Sequence, residues 1–424
     1  MEVSLLVICN PVSGDGRGRQ FVQEHVLPLI QDYKYELQET TKAGSAGYLA
    51  TEFLRKQSNG SSIVFVISGG DGTVHEVING IGLPSRPLQL VICPQGTANA
   101  LYSTLFPQSP DQPPTTEYRL RSLHAFLEGR TRRITLTQTC FLDSDKRVTR
   151  TILGVVVAST ALHASILDTA ERLRPSIQST ERFKVAAAEN ISKWYHSHVR
   201  LFSKSGSVQI YDPMIGAFKS LGSAELDLPG PFAYFLSTVN VDRLEPVFQI
   251  SPLFVLSPPG CGDMDLVVIR PLRDPFLKSD NRDGRTAFIP NLTAVLQAAY
   301  IQGSHVALRY RNGVPTAAGD GPFVVEYLRC GGWEWSPVSL MKLRYAPKLL
   351  GDTLRMNLTQ MHILLASMGQ WWRYQRMGRQ FARCCMALRM RIIWFAPDAA
   401  DKFDVLIRHN YSILLYPRAQ LLQP

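Results

Sequence analysis

Ser68-Gly69-Gly70-Asp71-Gly72-Thr73 lies between an apolar, strand-like run, Ile63 to Ile67, and the periodic stretch Val74 to Ile81. A strand, a glycine-rich loop and a helix start in that order bring backbone N–H groups and a helix N-terminus onto one point, where partial positive charge attracts an anion. Glycine lets the backbone approach a phosphate without a Cβ in the way. Asp71 is the odd residue in such a cradle, because a carboxylate repels phosphate. Its presence there suits magnesium binding or the acceptance of a proton from a hydroxyl. The plainer alternative is a tight turn in which glycine supplies positive φ and aspartate caps the helix.

The same logic recurs along the N-terminal third. Val3 to Cys9 reads as a buried strand, followed by Asn10-Pro11-Val12-Ser13-Gly14 and a Gly/Arg loop, Asp15 to Arg19, before the helical pattern Phe21 to Ile30. Lys34 to Glu39 reads as a second strand closed by Thr40-Thr41, and Ala46 to Lys56 as the next helix. Leu88 to Ile92 is another buried strand, with Pro94-Gln95-Gly96-Thr97-Ala98-Asn99 directly after it. Phosphate-compatible turns at successive strand ends point to one crevice at the edge of a parallel sheet.

Asn10-Pro11 with Gly14, then Thr41, then Gly69-Gly70-Asp71-Gly72-Thr73 with Glu76, then Pro94, Gly96-Thr97 and Asn99, together resemble the catalytic domain of diacylglycerol and sphingosine kinases. Ala158 to Arg174 with Glu181-Arg182-Phe183 is similar to that family's lipid-recognition segment. Gly262 to Leu266 is similar to its later Asp-Gly-x-Leu-Asp motif, and Asp320-Gly321 matches part of its final Asp-Gly-Glu motif. The resemblance runs over residues 1–346, and the motif order is its specific part, since NAD kinases and phosphofructokinases share a Gly-Gly-Asp-Gly-like signature.

The resemblance implies an ATP- and magnesium-dependent kinase of lipid alcohols, with Asp71 as the proton acceptor. Asn10, Pro11, Ser13, Gly14, Thr41, Ser68, Gly69, Gly70, Gly72, Thr73, Glu76, Gly96, Thr97 and Asn99 would hold the nucleotide. Arg174 and Arg182 would contact its phosphates, and Asp320 would contact nucleotide or metal. His163, Ser165 and Asp168 would meet the lipid headgroup. Two departures shape the substrate reading. Ser165 stands where the family carries an acidic headgroup residue, with Asp168 the nearest carboxylate, and Pro322 stands where the family has a glutamate. A sphingoid base is the leading substrate. Diacylglycerol, an NAD kinase-like activity and an impaired lipid-binding member are the alternatives.

The implied architecture is an α/β nucleotide domain over residues 1–135, an antiparallel β-sandwich over 136–346 and a basic tail over 347–424. From Arg147 onward, strand-like runs at Thr151–Ala158, Val199–Phe202, Ser207–Tyr211, Phe232–Asn240, Leu266–Ile269, Val306–Tyr310 and Val324–Leu328 suggest the sandwich. Helices are expected at Leu120–Gly129, Thr180–His196 and Leu292–Ile301, and charge-dense Asp274–Arg285 reads as a solvated loop. In the tail, Arg373, Arg376, Arg379 and Arg383 share one side of a helical wheel, and Tyr374, Met377, Phe381, Cys384 and Leu388 another, with Trp371 and Trp372 ahead of them. That pattern suits peripheral membrane contact.

With 424 residues and 45% hydrophobic content the chain is long enough for two cores and is not generally disordered. A net charge of +10 favours anionic partners such as nucleotides and acidic lipid surfaces, without any nucleic-acid motif. Seven scattered cysteines read as reduced core thiols, and no leader or 18-residue apolar span stands out. The expected location is therefore the cytoplasm, with peripheral contact to internal membranes.

Overall fold

The computed structural model describes residues 3–58, 61–83, 87–109, 113–143, 145–337, 392–395 and 413–415. The tail segment 371–388 read as an amphipathic helix lies outside them.

Strands β1 (Val3–Cys9), β2 (Lys34–Glu39), β3 (Ser62–Gly69) and β4 (Leu88–Pro94) pair in parallel in the order β2-β1-β3-β4. The three inner strands are apolar at consecutive positions because helices cover both faces of the sheet. Leu6, Ile8, Ile63, Phe65, Ile67, Leu90 and Ile92 share a core with residues of α2 (Ser45–Lys56) and α3 (Asp71–Ile81). Leu5, Val7, Val64, Val66, Val91 and Cys93 share the other with the helical run from α1 (Gly18–Phe21) to Ile30 and with α5 (Thr116–Leu127). Between them in sequence, α4 (Ala100–Leu105) follows β4. The regular helix expected over Phe21–Ile30 is instead a composite, with a π turn at Val22–Val26 and a 3-10 turn at Leu27–Ile30, where Pro28 lacks an N–H. Beyond β4 the sheet continues through β20 (Ile413–Leu415) to β5 (Arg132–Ile134).

Twelve of the remaining strands form two six-stranded antiparallel sheets. One contains β6 (Thr137–Leu142), β7 (Val148–Gly154), β9 (Ser197–Phe202), β12 (Glu225–Pro229), β18 (Gly332–Pro337) and β19 (Ile392–Phe395), in the order β12-β9-β18-β19-β6-β7. The other contains β8 (Val157–Thr160), β10 (Gln209–Asp212), β11 (Ala217–Ser220), β13 (Tyr234–Thr238), β14 (Met264–Ile269) and β17 (Glu326–Cys330), in the order β11-β10-β17-β14-β13-β8. Val199, Leu201, Trp333 and Trp335 of the first share a core with Phe235, Leu266, Val268 and Leu328 of the second. The opposite face of the second sheet, Leu236, Val267, Ile269 and Tyr327, packs with Leu162 of α6 (Ala161–Leu173) and with Phe288, Leu292 and Val295 of α9 (Arg282–Ala299). Helices α7 (Glu181–Asn190) and α8 (Leu253–Leu256) and the hairpin β15 (Arg309–Arg311) to β16 (Val314–Thr316) complete the described part.

Local details depart from the sequence reading for identifiable reasons. The strand expected over Thr151–Ala158 divides into β7 and β8, because asparagine side chains take over the ladder bonds. Asn79 accepts from Leu153 N at 2.9 Å and donates to Leu153 O at 2.8 Å, and Asn240 donates to Val155 O at 2.9 Å. The strand expected over Val306–Tyr310 begins inside a 3-10 turn, Ser304–Ala307, so that only Arg309 and Tyr310 of it lie in β15. Asp274–Arg285 is a correction: Asp274 is buried, Asp280 is multiply paired, and Arg282 already lies in α9 behind the Asn281 cap. The helix expected over Leu292–Ile301 starts earlier, at Arg282, and runs through Pro290.

The nucleotide-type sheet and the sandwich meet on fixed contacts. Leu136, Leu153, Val155 and Val241 join the core shared with α2 and α3. Asn240 mimics a strand partner by accepting from Thr135 N and donating to Thr135 O, both at 2.8 Å. Thr104 of α4 donates to Asp242 at 2.8 Å.

Candidate active site

The turns after β1, β3 and β4 converge at one end of the parallel sheet. Asn10 N donates to Ser68 O at 2.9 Å, and Gln95 N donates to Gly69 O at 2.9 Å, so the three strand ends are laced together just before they turn. The Asn10 side chain closes its own turn by accepting from Val12 N and reaches α3 by donating to Thr73 Oγ1 at 3.0 Å. Pro11 and Ser13 are partly exposed around it, and the Ser68 hydroxyl is buried without a hydrogen-bond partner.

The glycines are where the loops touch. A Cβ on Gly96 would lie 2.7 Å from Gly70 Cα, and one on Gly14, whose φ is +61°, would lie 2.0 Å from Gln95 O. A Cβ on Gly69 would meet Thr73 Oγ1 at 2.5 Å. The expectation that these glycines make room for phosphate is therefore incomplete: several make room for each other. Asn99 sits in the left-handed region and closes the third loop on itself, accepting from Gly96 N at 3.0 Å and donating to Gly96 O at 2.6 Å. Thr97 is exposed at its tip, and Gly72 lies in the first turn of α3.

Asp71 opens α3 yet serves another helix. Its Oδ2 accepts from Ala100 N at 2.7 Å and its Oδ1 from Leu101 N at 3.2 Å, so it satisfies the first amides of α4 across space. Burial raises its affinity for a proton, and these two amide bonds oppose that rise. Both oxygens keep a further lone pair for an incoming hydroxyl. Glu76 caps in the same manner, accepting from Ala46 N at 3.3 Å at the start of α2, and Thr41 N donates to Ser45 Oγ beside it. His75 is buried, and burial first, then the positive Arg150, pushes it down to about 4.

The sequence reading passed over several residues at this end of the sheet. Arg119 of α5 donates to Gln95 Oε1 at 3.2 Å, beside the Gly14 contact, and no local motif marks it. A shallow cleft bordered by Pro11, Gly16, Arg17, Arg19, Gln20 and Gln23 adjoins the Asn-Pro turn, with Arg19 held by Glu39 at 2.7 and 2.5 Å.

On the other side, α6 starts from Ala161 in the left-handed region. It presents Ser165 and Asp168 one turn apart on one face. Ser165 Oγ lies 2.5 Å from Tyr195 Oη. Asp168 is 9% exposed, its Oδ2 is 3.5 Å from Arg172 Nε, and its Oδ1 is buried without a hydrogen-bond partner. His163 is bonded to Ser159 Oγ at 2.7 Å and is pushed down to about 4 by burial. Arg174 pairs with Glu171 at 2.8 Å. Arg182 donates to the carbonyls of Gln178 and Ser179 at 2.8 Å and stacks over Phe183, which ties it to its own loop.

Residues 4–139 match the family model described as the diacylglycerol kinase catalytic domain. This N-terminal segment carries the likeness to that family. Human sphingosine kinase 1 is 34% identical over 108 residues, covering 24% of this chain and 27% of that protein. Sphingoid long-chain bases kinase 1 of Arabidopsis thaliana is 37% identical over 108 residues, covering 24% and 14%. The Bacillus subtilis (strain 168) diacylglycerol kinase is 33% identical over 99 residues, covering 22% and 30%. The chain thus matches less than a third of the length of each of these relatives. Among solved structures, a diacylglycerol kinase from Bacillus anthracis str. Sterne aligns with 16% identity and a TM-score of 0.42, over 80% of this chain and 87% of that one.

The last family motif lies in the second part of the chain, beside the β15–β16 hairpin. Asp320 has a side chain 80% exposed and 3.9 Å from Arg311 Nε, and its carbonyl accepts from Arg309. Pro322 O accepts from Tyr310 N at 3.0 Å. Glu326, the next carboxylate along, is clamped by Arg270 at 2.7 Å through both oxygens and by Arg273 at 3.2 Å, so it is committed to the sandwich. Among the described residues no three His, Cys, Asp or Glu side chains cluster as a metal cage. Magnesium carried on nucleotide phosphates and water asks for only one or two protein carboxylates and needs no such cage.

Proposed function

We propose that this chain is an ATP-dependent lipid kinase that phosphorylates a hydroxyl of a sphingoid long-chain base. The observation carrying the reading is the meeting of three strand-end loops around Asp71 within a diacylglycerol kinase-family segment. Backbone amides and the N-terminus of α3 offer the partial charge that holds phosphate, and Asn10, Ser13, Ser68, Thr73, Thr97 and Asn99 supply side-chain polar groups around it. The acceptor hydroxyl oxygen forms the new bond to the γ-phosphorus, the bridging oxygen leaves with ADP, and the hydroxyl proton goes to Asp71. Magnesium, when bound with the nucleotide, neutralises charge developing on the phosphate oxygens.

Sphingoid specificity is supported by the free, buried Oδ1 of Asp168, an acceptor suited to an ammonium, and by the names of two relatives. Diacylglycerol is the second reading, favoured by the neutral Ser165–Tyr195 pair at the headgroup position. Impaired catalysis is the third, favoured by Pro322 and by the engagement of Glu326. We place the enzyme in the cytoplasm at internal membrane surfaces, in keeping with the buried thiols of Cys9, Cys93 and Cys330. Transfer of label from radioactive ATP to sphingosine, diacylglycerol, ceramide or NAD tests the reading. Label on sphingosine above the other lipids supports it, and label on NAD alone overturns it.

A further inference from the structure

The segment between β14 and α9 is pinned at both ends. Asp274, 4% exposed, accepts from Phe276 N and from Asn291 Nδ2, each at 2.9 Å. Asp280 accepts from Arg285 at 2.5 and 2.8 Å and pairs with His196 Nε2 at 2.6 Å. Leu277 packs with the core beneath α9. Between these anchors Phe276 stands 65% exposed, and Leu272, just before Asp274, is 40% exposed. The β15–β16 hairpin turns at Asn312-Gly313 under the same ring: a Cβ on Gly313 would lie 2.9 Å from Phe276 Cδ2. Val314, 59% exposed, pairs across that hairpin with Arg311. A loosely held phenylalanine can fold itself away. One on a pinned loop is displayed to whatever the molecule meets.

The loop is tied through two successive residues to the α6 segment. His196, which holds Asp280, follows Tyr195, whose hydroxyl is 2.5 Å from Ser165 Oγ. Two exposed cations flank the apolar residues, Lys278 two positions after Phe276, donating to Pro275 O at 2.9 Å, and Arg311 opposite Val314, 3.9 Å from the exposed Asp320 carboxylate. The chain as a whole carries a net charge of +10.

We propose that Phe276, Val314 and Leu272 form an interfacial surface that seats the chain on an anionic lipid bilayer. The phenyl ring enters the boundary between headgroups and acyl chains, and Lys278 and Arg311 face lipid phosphates. The choice of a bilayer as the occupant rests on the lipid-alcohol reading above.

The full chain is sedimented with vesicles of phosphatidylcholine and phosphatidylserine. Phe276→Glu combined with Val314→Glu is expected to lower vesicle binding about tenfold while the thermal melt stays in place. The rate on a short-chain, monomeric lipid alcohol is expected to stay the same, and the rate on vesicle-borne substrate to fall. Lys278→Glu with Arg311→Glu is expected to erase the preference for phosphatidylserine over pure phosphatidylcholine. Equal vesicle binding by wild type and the Phe276 variant overturns the proposal. So does a wild-type dimer that the variant splits without any change at vesicles, which assigns the surface to a second copy. Loss of vesicle binding by the variant of a chain that phosphorylates no lipid upholds this surface and overturns the kinase reading. Full lipid kinase activity with unchanged vesicle binding does the reverse.

Discussion

Asp71 is held in place by two amides and has its proton affinity raised by burial, two properties that suit a base working in a fixed geometry. As a base it must be ionised, so kcat/KM should rise with pH through a pKa above the ordinary carboxylate value. Asp71→Asn should lower the rate by about 100-fold to 10,000-fold, remove that acid limb and leave nucleotide binding measurable. It should also lower the melting temperature slightly, because an amide nitrogen would face one of the α4 N–H groups. Near-wild-type turnover in the variant would exclude the role. At the headgroup, Ser165→Asp should raise the preference for sphingosine over diacylglycerol, since a charge-assisted bond to ammonium contributes about 1.5 to 3 kcal/mol. If Asp168→Ala alone abolishes the preference, Asp168 reads the headgroup. An unchanged ratio in both variants removes α6 from the substrate site. These residues were legible because their motifs are local. The amides of Ala100 and Leu101 and the Arg119 guanidinium were not, because each reaches the site from an element whose own sequence carries no signature.

At the level of elements, the buried strands announced themselves through unbroken β-branched runs, and β1, β3 and β4 lie close to where those runs end. Failures came where a side chain from afar replaced a ladder bond, as Asn79 and Asn240 do around Leu153 and Val155, or where a helix ran through proline at Pro290. The loop glycines show a subtler limit. Their types suggest close approach but not to what, and the structure answers with other backbone. Gly96→Ala should therefore cost roughly 2 kcal/mol or more of stability, because its Cβ would lie 2.7 Å from Gly70 Cα with no flexible group to yield. A thermal melt beside an ATP titration separates the effects. Weakened ATP binding at an unchanged melting temperature would assign Gly96 to ligand contact alone.

Across the whole molecule, three histidines are kept neutral far apart from one another. His75 lies on α3, His163 on α6 and His305 after α9, and burial pushes each from 6.5 down to about 4. The unfolded chain binds protons at these sites first, so their stabilising contribution is complete above about pH 6.5 and is lost as pH falls toward 4. Asp71 and Asp265, raised by burial, take up protons in the folded state and oppose part of that loss. Denaturant midpoints measured across this window should fall steadily on acidification, and a flat profile would contradict the burial of these rings. The junction between the first sheet and the sandwich, by contrast, gave no sign in the sequence, since Thr135, Asn240, Thr104 and Asp242 are distant and ordinary residues.

That junction gives the Asp71 carboxylate a longer reach than its own loop. It grips the first amides of α4, and α4 grips Asp242 of the second part of the chain through Thr104. A protonated carboxyl accepts hydrogen bonds less strongly than a carboxylate. Any proton placed on Asp71 therefore slackens one end of a short strut whose other end is moored in the sandwich. The ionisation of a single side chain is thereby tied to the seating of α4 against both parts of the chain.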